Sequence, residues 1–394
     1  MFTEDKRFNM DAVNNQTATW TKGKSPVLVP ATAAEEALSE IVLGCADHLR
    51  ANEACVLARA HEEGVHQVRV ATRRLRSCLS LFRDLIPNAQ RKYLNRELRW
   101  LIGEFGPARD WDVFLGEILG PVVNDLPDEP GVAVLRERAE RECDKGYKRA
   151  HTALKSRRYF ALMMLVRAWA EGRSWHDGNT PEATEKMQGP AVDVARELLE
   201  QHYQAVVSTG RDFDALSDEQ RHDLRIEIKK MRYATEFFGS LYPKQESTAF
   251  LAALKTLQDD LGANNDIAVA RDLLAGLTKN EKGKRRAQAA YATGLVLGWH
   301  NHVSNDREQN LAKIWDGLVT NRPFWDTGSG ESSSSVLQFV ISEEREGTQP
   351  EEKSAPEAKA HRKSSVALPS KARTRTRKRT APKATSETSP KTDS

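Results

Sequence analysis

Apolar residues recur every three or four positions along most of this chain. A first run of this kind follows the capping-box pattern Thr32-Ala-Ala-Glu35 and consists of Leu38, Ile41, Val42, Cys45 and Leu49. No stretch alternates apolar and polar residues in the way that half-buried strands do. The pattern therefore predicts an all-α protein.

The same periodicity predicts the other helices. In the first half we expect a helix that ends near Pro87, one over residues 92–105 closed by Gly106-Pro107, and three more at roughly 109–120, 132–154 and 157–171. Residues 172–190 are rich in Gly, Pro, Thr and Asn, which predicts a hinge. The second half continues with a helix from Pro190, a helix capped by residues 217–220, and long helices to Trp299 and Trp315, before Phe324-Trp325 ends the folded part.

One basic helical motif occurs twice in the sequence, 156 residues apart. The first copy, HQVRVATRRLR, begins at His66, and the second, HDLRIEIKKMR, begins at His222. The offset also relates Phe82 to Phe238, Pro87 to Pro243, Leu98 to Leu254, Leu101 to Leu257, Gly106 to Gly262, Asp110 to Asp266 and Val113 to Val269. A constant register over this length predicts a tandem duplication, with halves at about 31–175 and 190–325. We expect two similar helical bundles related by a pseudo-twofold axis around a basic groove.

At about 100° per residue, the cations of each copy fall on one face of their helix. We call these faces the first stripe, His66, Arg69, Arg73 and Arg76, and the second stripe, His222, Arg225, Lys229 and Arg232. The opposite faces carry Val68, Leu75, Leu79 and Phe82, and Leu224, Ile228, Met231 and Phe238, which predicts that they meet the core. Like charges along a helix repel one another, and only Glu236 approaches either stripe as a compensating acid. The stripes therefore favour an anionic ligand over the alternative of a solvated face.

The net charge of +3 conceals a split along the chain. From Lys359 onward, 11 Lys and Arg face 2 acidic residues, whereas the remainder has 48 basic and 54 acidic residues. The residues before Lys359 are acidic overall but contain the two basic stripes. Their positive charge is therefore concentrated locally, which supports an anion site. The four cysteines have no metal-ligand spacing and are predicted to be reduced core residues of a cytoplasmic protein.

The two ends of the chain differ from its middle. Residues 1–30 are polar and predict a loose leader or linker, and no apolar run is long enough for a membrane span. Residues 326–394 are rich in Ser, Thr, Ala, Pro, Glu and Lys and end in a basic stretch, which predicts a disordered basic tail. Two interpretations of the tail stay open, a solubility tail or an electrostatic arm for polyanions.

These motifs resemble the CHAD family, the conserved histidine α-helical domain. The resemblance rests on HQVRVATRRLRS at 66–77 and GPARDWDV at 106–113, and on HDLRIEIKKMRYATEFF at 222–238 and LQDDLGANNDIAVA at 257–270. It covers residues 31–325 and implies an all-helical domain whose basic surface binds inorganic polyphosphate, at polyphosphate granules. Many relatives carry an N-terminal triphosphatase-like domain, and no ExExK signature of that domain precedes residue 31.

The resemblance implies that the polyphosphate-binding residues are His66, Arg69, Arg73, Arg74, Arg76, His222, Arg225, Lys229, Lys230, Arg232 and Tyr233. From their positions after equivalent glycines, we expect Arg109, Asp110, Asn265 and Asp266 to support them, as helix caps or by orienting the stripe arginines. An alternative for each stripe histidine is a hydrogen-bond partner at the helix start, and Tyr233 could instead lie at the edge of the core.

We expect a non-catalytic polyphosphate-binding protein with no cofactor and no metal. Two alternatives belong to other classes. A nucleic-acid-binding protein would use the basic tail, although the stripes lack interleaved aromatic residues for base stacking. A metal-dependent phosphohydrolase would use Asp110, Asp112 or Asp266, although two or three carboxylates alone are poor signs of a metal site.

Overall fold

The computed structural model describes residues 18–279, 281–303, 308–321 and 323–326. Within these residues the protein is all-α: no strand is present, and a single isolated bridge joins Ala33 to Pro190. None of the described helices is long and apolar enough to cross a membrane. The helices are α1 (Ala34–Ala51), α2 (Glu53–Ala58), α3 (Glu62–Leu81), α4 (Asn88–Val113), α5 (Gly120–Asp125), α6 (Pro130–Leu154), α7 (Arg157–Glu171), α8 (Pro181–Gln188), α9 (Ala191–Thr209), α10 (Asp218–Phe238), α11 (Lys244–Lys279), α12 (Gly283–Val303) and α13 (Glu308–Thr320).

The first helix begins one residue later than its sequence predicts. The cap is Ala33, whose backbone N–H donates to Oε2 of Glu36 across 3.2 Å. Thr32 instead accepts a hydrogen bond from the backbone of Val29, and Glu35 is buried, where it pairs with Arg173 and His176. By contrast, the predicted capping box of α10 is present, with Ser217 and Gln220 each bonding the other's backbone.

The fourth helix runs through Gly106-Pro107, where the sequence predicts its end. An interior proline costs a helix about 3 kcal/mol, chiefly because the carbonyl four residues earlier loses its donor. Here that residue is Gly103, which is exposed to solvent. Gly146 of α6 packs so closely here that a Cβ on it would lie 2.6 Å from the backbone nitrogen of Ala108. Tight packing against α6 therefore offsets the local preference of the proline.

The residues after α4 do not form the separate helix predicted over 109–120. Phe114–Leu119 is instead a π-helix that continues α4 and leads directly into α5. The wider turn buries Phe114 and Ile118 and leaves Glu117 exposed. π-helical segments inside α-helices are rare and often lie beside functional sites.

The two halves share one hydrophobic core. Buried residues from both halves belong to a single hydrophobic cluster, and the rings of Phe82 and Phe238 lie 6.0 Å apart between α3 and α10. The predicted hinge at 172–190 contains the buried Trp175 and helix α8. Its end is bound to the start of α1, because Ala191 N donates to Thr32 O across 2.8 Å.

Helix starts in the two halves keep the offset found in the sequence. Glu62 begins α3 and Asp218 begins α10, while Asn88 begins α4 and Lys244 begins α11, and each pair is 156 residues apart. A tandem duplication predicts this agreement, and the duplication itself remains a prediction.

The described part of the N-terminal segment is packed against the helices, contrary to the loose leader that we expected. Asn52 exchanges two hydrogen bonds of 2.9 Å with the backbone of Thr21, and Leu28 is buried. The backbone oxygen of Lys24 accepts a hydrogen bond from Arg74 across 3.1 Å. Residues 1–17 and the predicted tail (326–394), apart from Asp326, lie outside the described residues.

Candidate functional site

A cavity of about 290 Å³ lies where α3, α4, α10 and α11 come together. Both halves line it with cations: His66, Arg69, Arg73 and Arg109 come from the first half, and Arg225 comes from the second. Asp110, the other predicted supporting residue of the first half, also lines it. The structure therefore brings together members of both stripes that are far apart in the sequence.

The stripes run beside one another because α3 packs against α10 through the apolar faces that the periodicity predicts. Leu75 and Phe82 of α3 and Met231 and Phe238 of α10 are buried. Nε of Arg73 donates to the hydroxyl of Tyr233 across 3.3 Å, which ties the first stripe to the second helix. The core contact therefore fixes the spacing of the two rows of charge.

Each half holds one stripe arginine against a glycine in the same way. A Cβ at Gly106 would lie 3.4 Å from Nη1 of Arg69, and a Cβ at Gly262 would lie 3.3 Å from Nη2 of Arg225. These are equivalent positions in the two copies. Glycine therefore leaves room for the guanidinium at the point where each stripe meets the following helix.

The stripe arginines are only partly satisfied by the described protein atoms. Arg69 donates from Nη1 to the backbone oxygen of Ile102 across 3.3 Å, but its Nε has no hydrogen-bond partner. The buried Nε atoms of Arg76 and Arg225 have none either. A buried donor without a partner typically costs about 1–3 kcal/mol, so a ligand with acceptor oxygens would recover free energy here.

The cations perturb one another electrostatically. Burial, and after it the neighbouring Arg225, Arg73 and Arg76, lower the pKa of Lys229. Burial, and then Arg109, lower the pKa of His66 to about 4. The site is therefore a cluster of positive charges in which the imidazole of His66 is neutral at pH 7.

Several predicted ligand residues lie away from the cavity. Arg74 is buried on the other side of α3, where it lies against the N-terminal segment and 3.9 Å from Glu236. Lys230 pairs with Glu227, and Arg232 pairs with Glu236 and Gln258. His222, which opens the second stripe, is exposed and does not line the cavity.

Of the remaining predicted residues, two lie beside the cavity, one lies at the edge of the core, and two have side chains that are not described. Arg76 and Lys229 are half-buried beside the cavity-lining cations. Tyr233 is buried at the edge of the core, with its hydroxyl on Arg73, which agrees with the alternative left open for it. The side chains of Asn265 and Asp266 lie outside the described residues.

Sequence reasoning missed one charged residue of the cavity. Glu117, on the π-helix, accepts a hydrogen bond from Nη2 of Arg109 across 3.3 Å. The apolar side of the cavity was also missed, and it is formed by Val113, Phe114, Ile118, Val269, Ala270 and Leu273. Glu117 follows Asp110 by seven residues, a spacing that puts both on one face of a helix, so helical periodicity could have found it.

Asp110 and Asp112 do not converge on a shared metal position. Asp112 is buried and accepts hydrogen bonds from Tyr147 (3.0 Å) and Cys143 (3.5 Å) of α6, whereas Asp110 lines the cavity. Burial raises the pKa of Asp112 to about 6. Among the described residues, no group of three or more His, Cys, Asp or Glu side chains is arranged to hold a metal ion.

Comparison with known proteins gives several matches. A crystal structure of the CHAD domain from the plant Ricinus communis is similar, with a TM-score of 0.64 and 30% sequence identity, over 77% of this chain and 98% of that one. PptA from Streptomyces chartreusis shares the fold, with a TM-score of 0.53 and 17% identity, over 72% of this chain and 100% of that one.

Two uncharacterized proteins, from two strains of Mycobacterium tuberculosis, are each 29% identical to the chain over 250 residues. The match covers 62% of this chain and 45% of theirs, so the chain spans less than half the length of these curated relatives. The model of the CHAD domain family itself matches residues 40–275, which include both stripes and the helices that follow them. This chain belongs to the CHAD domain family.

Proposed function

We propose that this protein binds inorganic polyphosphate without catalysing its breakdown. The observation that carries the proposal is the meeting of the two stripes, in which Arg69, Arg73 and Arg225 line one cavity. The buried Nε atoms of Arg69 and Arg225 lack partners among the described residues. Phosphate oxygens are strong acceptors that suit the fork-shaped donors of arginine.

The two stripes contribute different chemistry to this binding. The first is rich in arginine, which makes planar, directional contacts, and the second carries Lys229, which acts as a point charge. Arg76 and Lys229 continue the cationic surface beside the cavity. A long chain of phosphates contacts more of these cations than a short one, so long chains bind more tightly.

The proposal includes a cytoplasmic location at polyphosphate granules, which the family resemblance implies. Fluorescent tagging of the full chain in cells that store polyphosphate tests this part. Colocalisation with granules is expected, and an Arg69→Glu/Arg73→Glu variant should become diffuse. A variant that still reaches the granules would separate localisation from the stripes.

Absence of turnover is tested directly. The protein is incubated with long-chain polyphosphate and Mg²⁺ or Mn²⁺, and chain length is read on a gel. We expect no change in length. Release of orthophosphate that disappears in Asp110→Asn or Asp266→Asn would replace the binding proposal with a phosphohydrolase.

A competition titration tests the ligand itself. Long-chain polyphosphate competes with duplex DNA at two salt concentrations, for the full chain and for a chain ending at Trp325. We expect polyphosphate to displace DNA in both proteins, with a smaller salt dependence after truncation because fewer charges are neutralised. Preference for DNA, or loss of polyphosphate binding on truncation, would move the function to the basic tail.

A further inference from the structure

The cavity is lined by residue types that an inorganic polyphosphate would not contact favourably. Its cations suit phosphate, but six apolar residues also line it: Val113, Phe114, Ile118, Val269, Ala270 and Leu273. Val269, on α11, has 38% of its surface exposed, which makes it one of the exposed large hydrophobic residues of the protein. An inorganic phosphate chain has no apolar atoms that would remove this surface from water.

Two carboxylates also line the cavity, and both oppose an inorganic anion. Glu117 reaches Arg109 across 3.3 Å, and Asp110 lies close enough to Arg69 to raise its pKa against the stronger effect of burial. A carboxylate repels phosphate, but it is a good acceptor for hydroxyl and amino groups. The acidic side therefore suits a ligand that carries hydrogen-bond donors as well as phosphate.

We propose that this cavity binds a nucleoside phosphate, a ligand that combines these three properties. Its phosphates lie on Arg69, Arg73 and Arg225. Its flat, weakly polar base packs against the aliphatic side formed by Val269 and Leu273. Its sugar hydroxyls or base amino group donate to Asp110 or Glu117.

The size of the cavity agrees with a ligand of this class. Small-molecule sites are typically concave, partly apolar and about 300–1,000 Å³ in volume. The cavity of about 290 Å³ lies just below that range, which suits a ligand no larger than one nucleotide. A nucleotide would occupy the same arginines as polyphosphate, so each ligand excludes the other from this position. The inference thus adds a second ligand class to the proposed function.

Paired titrations of adenosine triphosphate and tripolyphosphate test the inference. Both probes are titrated into the full chain by calorimetry, at matched pH and ionic strength and without divalent cations. Tripolyphosphate has the higher charge, so electrostatics alone would make it the tighter ligand. We expect the nucleotide to bind more tightly, by about tenfold, because its base buries apolar surface.

A Val269→Ser variant isolates the apolar side. Because Val269 is partly exposed, the substitution leaves the core intact. We expect it to weaken binding of the nucleotide about fivefold or more and to leave tripolyphosphate binding unchanged. Val29→Ser is the matched control, since Val29 is 55% exposed and lies outside the cavity.

A Glu117→Gln variant isolates the acidic side. Loss of the negative charge should strengthen tripolyphosphate binding about threefold or more, and the preference for the nucleotide should shrink. Glu140→Gln is the control, because Glu140 is an exposed carboxylate like Glu117 and pairs with Arg136 on α6. Neither probe should respond to that control.

The inference is overturned if tripolyphosphate binds as tightly as the nucleotide or more tightly, or if Val269→Ser weakens both probes equally. A titration with long-chain polyphosphate on the same preparation tests the proposed function separately. Strong binding of long-chain polyphosphate without nucleotide preference would retain the proposed function and reject this inference. Nucleotide binding without polyphosphate binding would retain this inference and reject the proposed function.

Discussion

Arg73 and Tyr233 join the two halves of the protein beside the cationic cavity, because Nε of Arg73 donates to the tyrosine hydroxyl across 3.3 Å. The tyrosine is buried, and its ring stacks on Phe237. The hydroxyl therefore presents a fixed acceptor to a guanidinium that would otherwise be free to rotate. Core packing in α10 thus orients a member of the first stripe.

Replacing Tyr233 with Phe should separate this orienting role from the core role. The ring is retained, so we expect the free energy of unfolding to fall by only about 1 kcal/mol. Long-chain polyphosphate should bind a few times more weakly, because Arg73 loses its anchor. Urea unfolding and titration measure both effects. Tyr242→Phe removes a comparable hydroxyl contact, to Val192 O, and should leave binding unchanged.

A Gly262→Ala variant should change stability and binding in opposite directions. Alanine in place of an interior helical glycine stabilises a helix by about 0.5–1 kcal/mol. The new Cβ would lie 3.3 Å from Nη2 of Arg225, so the guanidinium must shift and polyphosphate affinity should fall. Gly276→Ala, in the same helix with nothing within 4 Å of the new Cβ, should stabilise without affecting binding. Equal affinities in the two variants would contradict the role assigned to this glycine.

Charge reversal tests whether the stripes act together. Arg69→Glu/Arg73→Glu should weaken long-chain polyphosphate binding by about 3 kcal/mol or more, through lost charge-assisted contacts and new repulsion. Arg225→Glu/Lys229→Glu should have the same effect, and either change should erase the preference for long chains over short ones.

Arg136→Glu/Arg141→Glu is the matched control for the charge reversals, because both arginines are exposed on α6. Circular dichroism should show that all three proteins remain helical. If each stripe variant keeps normal affinity and length preference, the two stripes are separate sites.

Binding should depend on pH through His66. Burial and Arg109 lower its pKa to about 4, so the empty site holds neutral imidazole at pH 7. A bound polyanion favours the protonated ring, and affinity therefore rises as the pH falls from 7 towards 5, by at most about tenfold per pH unit for one proton.

The same shift acts on stability with the opposite sign. The folded pKa of His66 lies below its ordinary value of 6.5, so the unfolded chain binds more protons and acid disfavours folding between these values. Titrations over this range should be accompanied by circular dichroism. His66→Gln should remove the pH dependence of binding, whereas His222→Gln, at an exposed position outside the cavity, should retain it.

Asp112 should make the protein less stable as the pH rises. Burial raises its folded pKa from 3.8 to about 6, so its favourable contribution is complete below pH 3.8 and is lost as the pH rises through 6. The loss amounts to about 2–3 kcal/mol for a shift of this size. Asp112→Asn retains an acceptor for Tyr147 and should flatten the pH profile of urea unfolding. Asp112→Ala leaves the Tyr147 hydroxyl unsatisfied and should cost about 1–3 kcal/mol at pH 7.

The sequence predicted what depends on local periodicity and failed where distant packing decides. The core faces of α3 and α10 were predicted from spacing alone, and their apolar residues are buried. The end of α4 at Pro107 was wrong because the contact with Gly146, which comes from another helix, cannot be read locally. The α1 start was wrong by one residue, within the uncertainty of cap assignment from sequence.

The same contrast between local periodicity and distant packing applies to the candidate site. The stripe residues Arg69, Arg73 and Arg225 follow from helix geometry, and they line the cavity. Arg74 was included because the family resemblance implies it, but it faces the N-terminal segment and is buried. Glu117 was missed, although its spacing of seven residues from Asp110 places the two on one helix face.

The contact between Phe82 and Phe238 is a residue touching its own counterpart, since the two occupy equivalent positions in the repeated sequence. Such a self-matching contact is the signature of an isologous interface, in which one surface faces itself across a twofold axis. Removal of either half would expose the aromatic ring that the other half now covers. The predicted duplication would therefore derive this contact from a homodimer whose two subunits were joined end to end.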